Sequence, residues 1–269
     1  MPVSYSGLPT SPPRVPAVVN ELVGARSVKP VWVNEVGGLT FAVVGREGPE
    51  LFVKWAPPGA GLDYMAEAAR LTWAGPHTRV PEVLELGSDG EGSWLVMRAI
   101  DAASAVDEPW RAQPAVAVRA IGEGLRALHH ALPVDGCPFS WSTGDRTARA
   151  TQLAASGRHG PDRWHEEHRH LSVDQALALV SEPPAVDRLV VCHADACAPN
   201  TLIGSDGRWC AHVDFEHLGL ADRWADLAIA TWSCDWNFGP GWQDELLAAY
   251  GVEPDPERTA YYRLLWDLA

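Results

Sequence analysis

The chain has 269 residues, 46% of them hydrophobic, with a formal net charge of −14; that suits one large domain or two small ones with a packed core and excludes a disordered chain. The acidity argues against nucleic acid as the main ligand, which requires a basic face, and is compatible with a cationic partner drawn in by a negative field. No apolar run spans a bilayer, stretch 1–16 lacks the basic-then-apolar order of a signal peptide, and the cysteines at 137, 192, 197, 210 and 234 contain no CxxC pair, so the chain reads as a cytoplasmic protein with reduced thiols and no membrane partner.

In chain order, 1–28 reads as a flexible lead ending in a short helical turn. Strands are expected at Val31–Val33, Phe41–Val44 and Leu51–Trp55, joined by turns at Gly37-Gly38 and Gly45–Gly48. Gly37 and Gly38 would let backbone amides approach phosphates, although Gly-Gly is also an ordinary hairpin turn. Lys54 stands inside an apolar strand pattern, either as an edge-strand lysine that discourages aggregation or as a phosphate-binding lysine. The second role wants an acidic partner, and Glu67 supplies it on a helix expected over 62–74, with Leu62, Met65, Ala69 and Trp73 as its apolar positions. Stretch 56–61 serves as the loop that caps this helix. Segments 80–86 and 93–100 form another hairpin, and a connector over 101–114 separates two lobes, 1–100 and 101–269.

Val118, Ile121, Leu125, Leu128 and Leu132 fall at helical spacing, which predicts a core helix over 113–132 ending in structural or exposed histidines, His129 and His130. Stretch 133–170 reads as irregular, 173–180 as a short helix. The run Leu189–Cys192, the turn Gly204-Ser205-Asp206-Gly207 and the run 208–214 predict a hairpin that gathers Asp195, Asn200 and Asp214. Asp222 is a natural helix N-cap, and Asp226 one turn on is expected to brace the preceding loop. Trp232, Trp236, Phe238 and Trp242 crowd a Gly-Pro loop before helices over 243–250 and 257–268.

Two carboxylates and an amide in one cleft suit phosphoryl transfer. One carboxylate orients the attacking hydroxyl and accepts its proton; the other, with the amide, holds magnesium against nucleotide phosphates. His193-x-Asp195-x-x-x-x-Asn200 with Asp214 downstream has the spacing of the protein-kinase catalytic loop. A polar loop with a capping Asp and a turn Asn is the plainer alternative.

Taken together, Val33-Asn34-Glu35…Gly38, Phe52-Val53-Lys54, Glu67…Trp73, Trp94-Leu95-Val96, Ala127-Leu128-His129, Val191-Cys192-His193-x-Asp195, Leu218-Gly219-x-Ala221-Asp222-Arg223-x-x-Asp226 and the terminal Tyr-Tyr-Arg-Leu-Leu-x-Asp make the chain resemble the aminoglycoside O-phosphotransferases, nearest the branch acting on 3′ or 3″ hydroxyls. The resemblance implies an α+β, protein-kinase-like bilobal fold, with a small antiparallel-sheet N-lobe and a mainly helical C-lobe. It implies ATP and Mg2+ as cofactors, a small cationic antibiotic as partner, and a monomer or weak dimer. Asp195 would be catalytic; Asn200 and Asp214 would bind the metal; Lys54, Glu67, Gly37, Gly38, Met97 and Ala99 would serve the nucleotide, the last two through their backbones. Asp162, Glu166, Asp267 and the Ala269 terminus would receive the drug's ammonium groups, with Glu167 a further candidate. The sequence departs from the family at Ala194, a usual glycine whose change should be tolerated, at Glu216 and His217, where a glycine and a basic residue are usual, and at Trp232, where some members place an arginine. Kinases of other small hydroxylated amines or macrolides share the motif, and a nucleotide-binding pseudokinase is the alternative from another class.

Overall fold

The computed structural model describes Gly7, Pro9 and residues 11–34, 36–157 and 160–269. Residues 1–6, 8 and 10 of the expected lead lie outside the described residues, as does Glu35. The chain divides into two compact units, Met1–Asp101 and Ala102–Ala269, and its composition of strands and helices is α+β.

The first unit opens with α1 (Ala17–Val23), followed by β1 (Ser27–Val33), β2 (Leu39–Val44), β3 (Pro49–Ala56), α2 (Tyr64–Ala74), β4 (Val83–Ser88) and β5 (Ser93–Arg98). The strands form one antiparallel sheet in the order β1-β2-β3-β5-β4. Period-2 alternation places Phe41, Val43, Val53 and Val96 on one face, where they bury against Val19 and Val23 of α1; each such side chain contributes about 1.5–3 kcal/mol. The β1–β2 turn is fixed by Asn34, whose Oδ1 accepts from Val36 N (3.2 Å) and Gly38 N (2.6 Å). Gly37 there has φ +86°, a left-handed conformation that favours glycine. A Cβ on Gly38 would lie 2.6 Å from both Asn34 and Leu62, so a larger residue there must displace both side chains, including the Asn34 amide that fixes the turn.

Helix α2 is capped by Asp63, whose carboxylate accepts from Ala66 N at 2.9 Å, and not by the Gly-Pro stretch before it. Its buried stripe is Tyr64, Glu67, Ala68, Leu71 and Ala74. The expected stripe was wrong: Met65 is 71% exposed and Ala69 is also exposed. Glu67 turns inward to meet a lysine, and this rotates the whole helix relative to its apolar pattern.

The second unit is mostly helical. Its elements are β6 (Ala103–Ser104), α3 (Pro114–Ala131), α4 (Thr143–Ala155), α5 (Val173–Val180), β7 (Leu189–Cys192), β8 (Thr201–Ile203), β9 (Trp209–His212), β10 (Gly219–Asp222), α6 (Trp224–Phe238), α7 (Gln243–Tyr250) and α8 (Pro256–Leu268). The five periodic residues of α3 and its following turn, Val118, Ile121, Leu125, Leu128 and Leu132, are all buried. Among the described residues no helix is long and apolar enough to cross a membrane.

Several expectations are corrected here. Strand β7 does not pair with the strand after the Gly204–Gly207 turn; it pairs antiparallel with β10. The hairpin through that turn is β8–β9. Helix α4 falls in the stretch read as irregular. Its inward face is Arg146 and Ala150, which carries no apolar period to detect. Trp232, Trp236 and Phe238 belong to α6 and not to a loop, and Asp222 ends β10 one residue earlier than a cap. Asp222 still accepts from Trp224 N (3.0 Å) and also from Asp187 N (2.8 Å).

Candidate active site

In the second unit, β7 delivers the chain to His193, and the N-terminal turn of α6 waits beneath it. Asp226, fully buried, accepts from the backbone N–H of His193 (2.6 Å) and of Ala194 (2.8 Å), and lies 2.9 Å from His129 Nε2. The other nitrogen of His129 meets the Tyr250 hydroxyl at 2.9 Å. The bracing expected of Asp226 is thus made of three hydrogen bonds. Desolvation pushes its carboxyl up, but the bond and charge of His129, with His193 and the Ala194 amide, outweigh burial and hold it below the usual 3.8. His129, Cys192 and Asp226 present ligand atoms within 4.8 Å of one another, but both His129 nitrogens are engaged and the Cys192 thiol donates to Asp222 O at 3.3 Å. This cluster is a hydrogen-bonded brace.

His193 is itself buried. Its Nε2 meets Val213 O at 2.9 Å and its Nδ1 accepts from Asp195 N at 3.2 Å, which fixes the Nε2–H tautomer. Ala194 adopts φ +71°, so the departure from glycine is accommodated with backbone strain of about 1–2 kcal/mol. Beyond Asp195, the chain turns through Ala198–Asn200. Ala198 N donates to Ser233 Oγ (2.9 Å) and Ser104 Oγ to Pro199 O (2.9 Å). Asn200 Nδ2 donates to both the carbonyl (3.0 Å) and the carboxylate (2.9 Å) of Asp195. Thr201 faces His212 in the β8–β9 ladder, and one step back Val213 N donates to Asn200 O at 3.0 Å. Register therefore puts Val213 opposite Asn200 and Asp214 one residue beyond, close enough for its charge to act on Asp195. Asp214 takes φ +69°, a conformation Asp tolerates better than most residues.

Asp195, Asn200 and Asp214 are thus gathered as the sequence predicts, by a different strand pairing. Partial burial pushes the Asp195 carboxyl up, the Asp214 charge pushes it further, and His193, Cys197 and Asn200 offset this only in part. Two carboxylates, with the Asp214 charge disfavouring ionisation of Asp195, beside an amide whose nitrogen is already turned to Asp195, form a hard-oxygen donor set that a cation would relieve. The residues fit a magnesium ion.

In the first unit, Lys54 Nζ lies 2.6 Å from Glu67 Oε1, with Glu67 only 1% exposed. Strand β3 sits between β2 and β5, so Lys54 is not an edge-strand lysine. Met97 pairs with both Phe52 and Val83 in the sheet, and Ala99 N donates to Glu50 O at 2.9 Å. The Ala99 amide is therefore not available to donate to a base.

The residues expected near a cationic partner divide. Asp162, Glu166 and Glu167 are exposed on the loop before α5. Asp267 is not: its Oδ2 accepts from His165 N (3.1 Å) and meets His168 Nδ1 at 2.6 Å. Ala269 packs partly buried against the core of the unit. Sequence reading missed an aromatic cluster of Trp232, Trp236 and His165, with ring centroids 4.3–6.3 Å apart. The helical i, i+4 spacing of the two tryptophans was a signal for it. It also missed the stack of Trp141 on His217 at 4.7 Å.

A braced loop presenting paired carboxylates and an amide, in a chain whose antiparallel sheet carries a buried lysine–glutamate pair, defines a kinase-like phosphotransferase. Solved structures share this fold. An aminoglycoside phosphotransferase from Streptomyces rimosus, solved with ADP and streptomycin, superposes with a TM-score of 0.75 at 25% identity over 93% of this chain and 95% of its own. A type VIII aminoglycoside-3′-phosphotransferase gives 0.75 at 33% identity over 86% and 88%. Residues 33–262 match the profile of the phosphotransferase enzyme family, and the chain belongs to that family. An aminoglycoside 3′-phosphotransferase of Streptomyces fradiae is 36% identical over 87% of this chain and 92% of its own length. The chain is an enzyme of the kinase type.

Proposed function

We propose that this enzyme transfers the γ-phosphoryl group of ATP to a hydroxyl of an aminoglycoside antibiotic and so confers resistance, acting in the cytoplasm as a monomer or weak dimer. The observation that carries the reading is the Asp195–Asn200–Asp214 constellation on a loop braced by Asp226, together with relatives of that activity over most of the chain.

Asp195 orients the acceptor hydroxyl and takes its proton as the hydroxyl oxygen bonds to the γ-phosphorus and the bridging oxygen leaves with ADP. The Asn200 amide nitrogen holds the Asp195 carboxylate in one rotamer, which makes most of the protein's contribution one of positioning. Asn200 Oδ1 and the Asp214 carboxylate would hold magnesium, which supplies charge neutralisation on the phosphates. Lys54, oriented by Glu67, binds phosphate oxygens; the Gly37 and Gly38 N–H groups are given to Asn34, so that turn would serve by close backbone approach and not by donating those amides. The adenine rests against the 97–99 stretch through groups other than the Ala99 N–H. Asp162 and Glu166 draw in the drug's ammonium groups. Phosphate adds about −1.5 to −2 charges to the drug, by analogy with phosphorylated side chains, and spoils its fit to RNA.

The test is ADP release from MgATP with streptomycin, kanamycin and neomycin, beside choline as control. Turnover dependent on an aminoglycoside is expected. Turnover with choline alone would transfer the reading to another small-amine kinase, and nucleotide binding without turnover would make the chain a pseudokinase.

A further inference from the structure

We propose that Trp236, backed by Trp232 and His165, is a stacking ledge for an amino-sugar ring of the acceptor, and that Asp267 positions this ledge and does not itself hold an ammonium group. The proposal rests on the aminoglycoside reading above and deepens it.

Helix α6 is buried along most of its length, yet Trp236 is 47% exposed while Trp232, one turn earlier on the same face, is 3% exposed. A single exposed tryptophan needs no explanation. This one is held in place. Its ring lies 5.2 Å from that of Trp232 and 6.3 Å from that of His165, and His165 lies 4.3 Å from Trp232. Behind them Arg263 stands 5.2 Å over the Trp232 ring and donates to Thr231 Oγ1 at 3.1 Å. Asp267 Oδ2 clamps the other side through His165 N and His168 Nδ1. The exposed indole is the open end of a rigid stack, so little conformational entropy is lost when a ligand settles on it.

The helix that carries the ledge also holds the catalytic loop. Ser233, next to Trp232 in the chain, accepts from Ala198 N inside the loop that runs from Asp195 to Asn200. An indole face is electronegative and favours either an ammonium group or the C–H face of a pyranose. An amino-sugar offers both. The loop that supplies His165 also carries the exposed carboxylates Asp162 and Glu166, which match the remaining charges of such a ring.

The test is equilibrium binding of kanamycin and streptomycin to the full chain by calorimetry, with no turnover required. Trp236→Ala should weaken binding of the responding drug about 5- to 30-fold, the equivalent of about 1–2 kcal/mol, and Trp236→Phe should recover most of it. Thermal unfolding of both variants should match the wild type, because the side chain lies half outside the core. Asp267→Asn, which keeps an accepting oxygen, should bind nearly as the wild type does, whereas Asp267→Ala should not; a direct ammonium ligand would lose affinity in both. Wild-type binding left unchanged by Trp236→Ala overturns the ledge alone. A wild type that binds no aminoglycoside overturns the substrate reading and the ledge with it.

Discussion

Asp226→Asn and Asp226→Ala probe the brace beneath the catalytic loop. The carboxylate is fully buried and serves three donors, the N–H groups of His193 and Ala194 and the imidazole of His129, at 2.6, 2.8 and 2.9 Å. Alanine leaves all three without an acceptor where water has no ready access. Each unpaired buried donor costs about 1–3 kcal/mol, and relaxation keeps the total near the roughly 3–5 kcal/mol of a broken buried pair. Asparagine keeps one oxygen but turns an NH2 group toward a donor, so about 1–3 kcal/mol is lost. The strained Ala194 turn is then free to relax, Asp195 shifts, and kcat/KM should fall on the order of 100-fold, as for a displacement of about 1 Å. The brace also has a pH signature. The folded-state carboxyl titrates below its unfolded value of 3.8, so its contribution to stability is complete above that value and is lost as pH falls through the folded one. Urea unfolding followed by tryptophan fluorescence, repeated from neutral pH to well below 3.8, should show this acid loss in the wild type and a flatter profile in Asp226→Asn. An Asp226→Asn protein within about 0.5 kcal/mol of wild type, the ordinary spread of surface substitutions, and with undiminished turnover would refute the reasoning.

Lys54→Met leaves Glu67, 1% exposed, without its 2.6 Å partner; stability should drop by about 3–5 kcal/mol, and the double variant with Glu67→Met should regain most of it, as measured by thermal or urea unfolding. Ala194→Gly relieves about 1–2 kcal/mol of left-handed strain at φ +71° against about 0.5–1 kcal/mol of added chain entropy. A net gain of about 0.5 kcal/mol is expected in urea unfolding, and a loss above about 1 kcal/mol contradicts the strain argument.

The local chemistry was legible in the sequence wherever it is carried by spacing along one segment. His193-x-Asp195-x-x-x-x-Asn200 reads directly, and so does the apolar period of α3. What escaped depends on partners distant in the chain. Strand β7 pairs with β10 because Gly219–Asp222 returns to it after the β8–β9 hairpin, and no turn signal marks that pairing. Helix α4 buries an arginine and an alanine, so its pattern resembles a polar loop. Helix α2 is rotated by a charged residue that must face inward, which a count of apolar positions cannot register. The substrate wall was read from carboxylates alone. The structure shows Asp267 hydrogen-bonded to a histidine loop, with one exposed tryptophan, Trp236, packed against the His165 ring of that loop.

The most direct test of the account is the product of the reaction in wild type and Asp195→Asn, by mass spectrometry of the aminoglycoside after incubation with MgATP. The account predicts a drug carrying one added phosphoryl group with the wild type and unchanged drug with the variant. Because burial and the Asp214 charge both disfavour the ionised Asp195 carboxyl, the inactive variant should also be at least as stable as the wild type at neutral pH. Phosphorylated drug formed at the wild-type rate by Asp195→Asn would contradict the central claim.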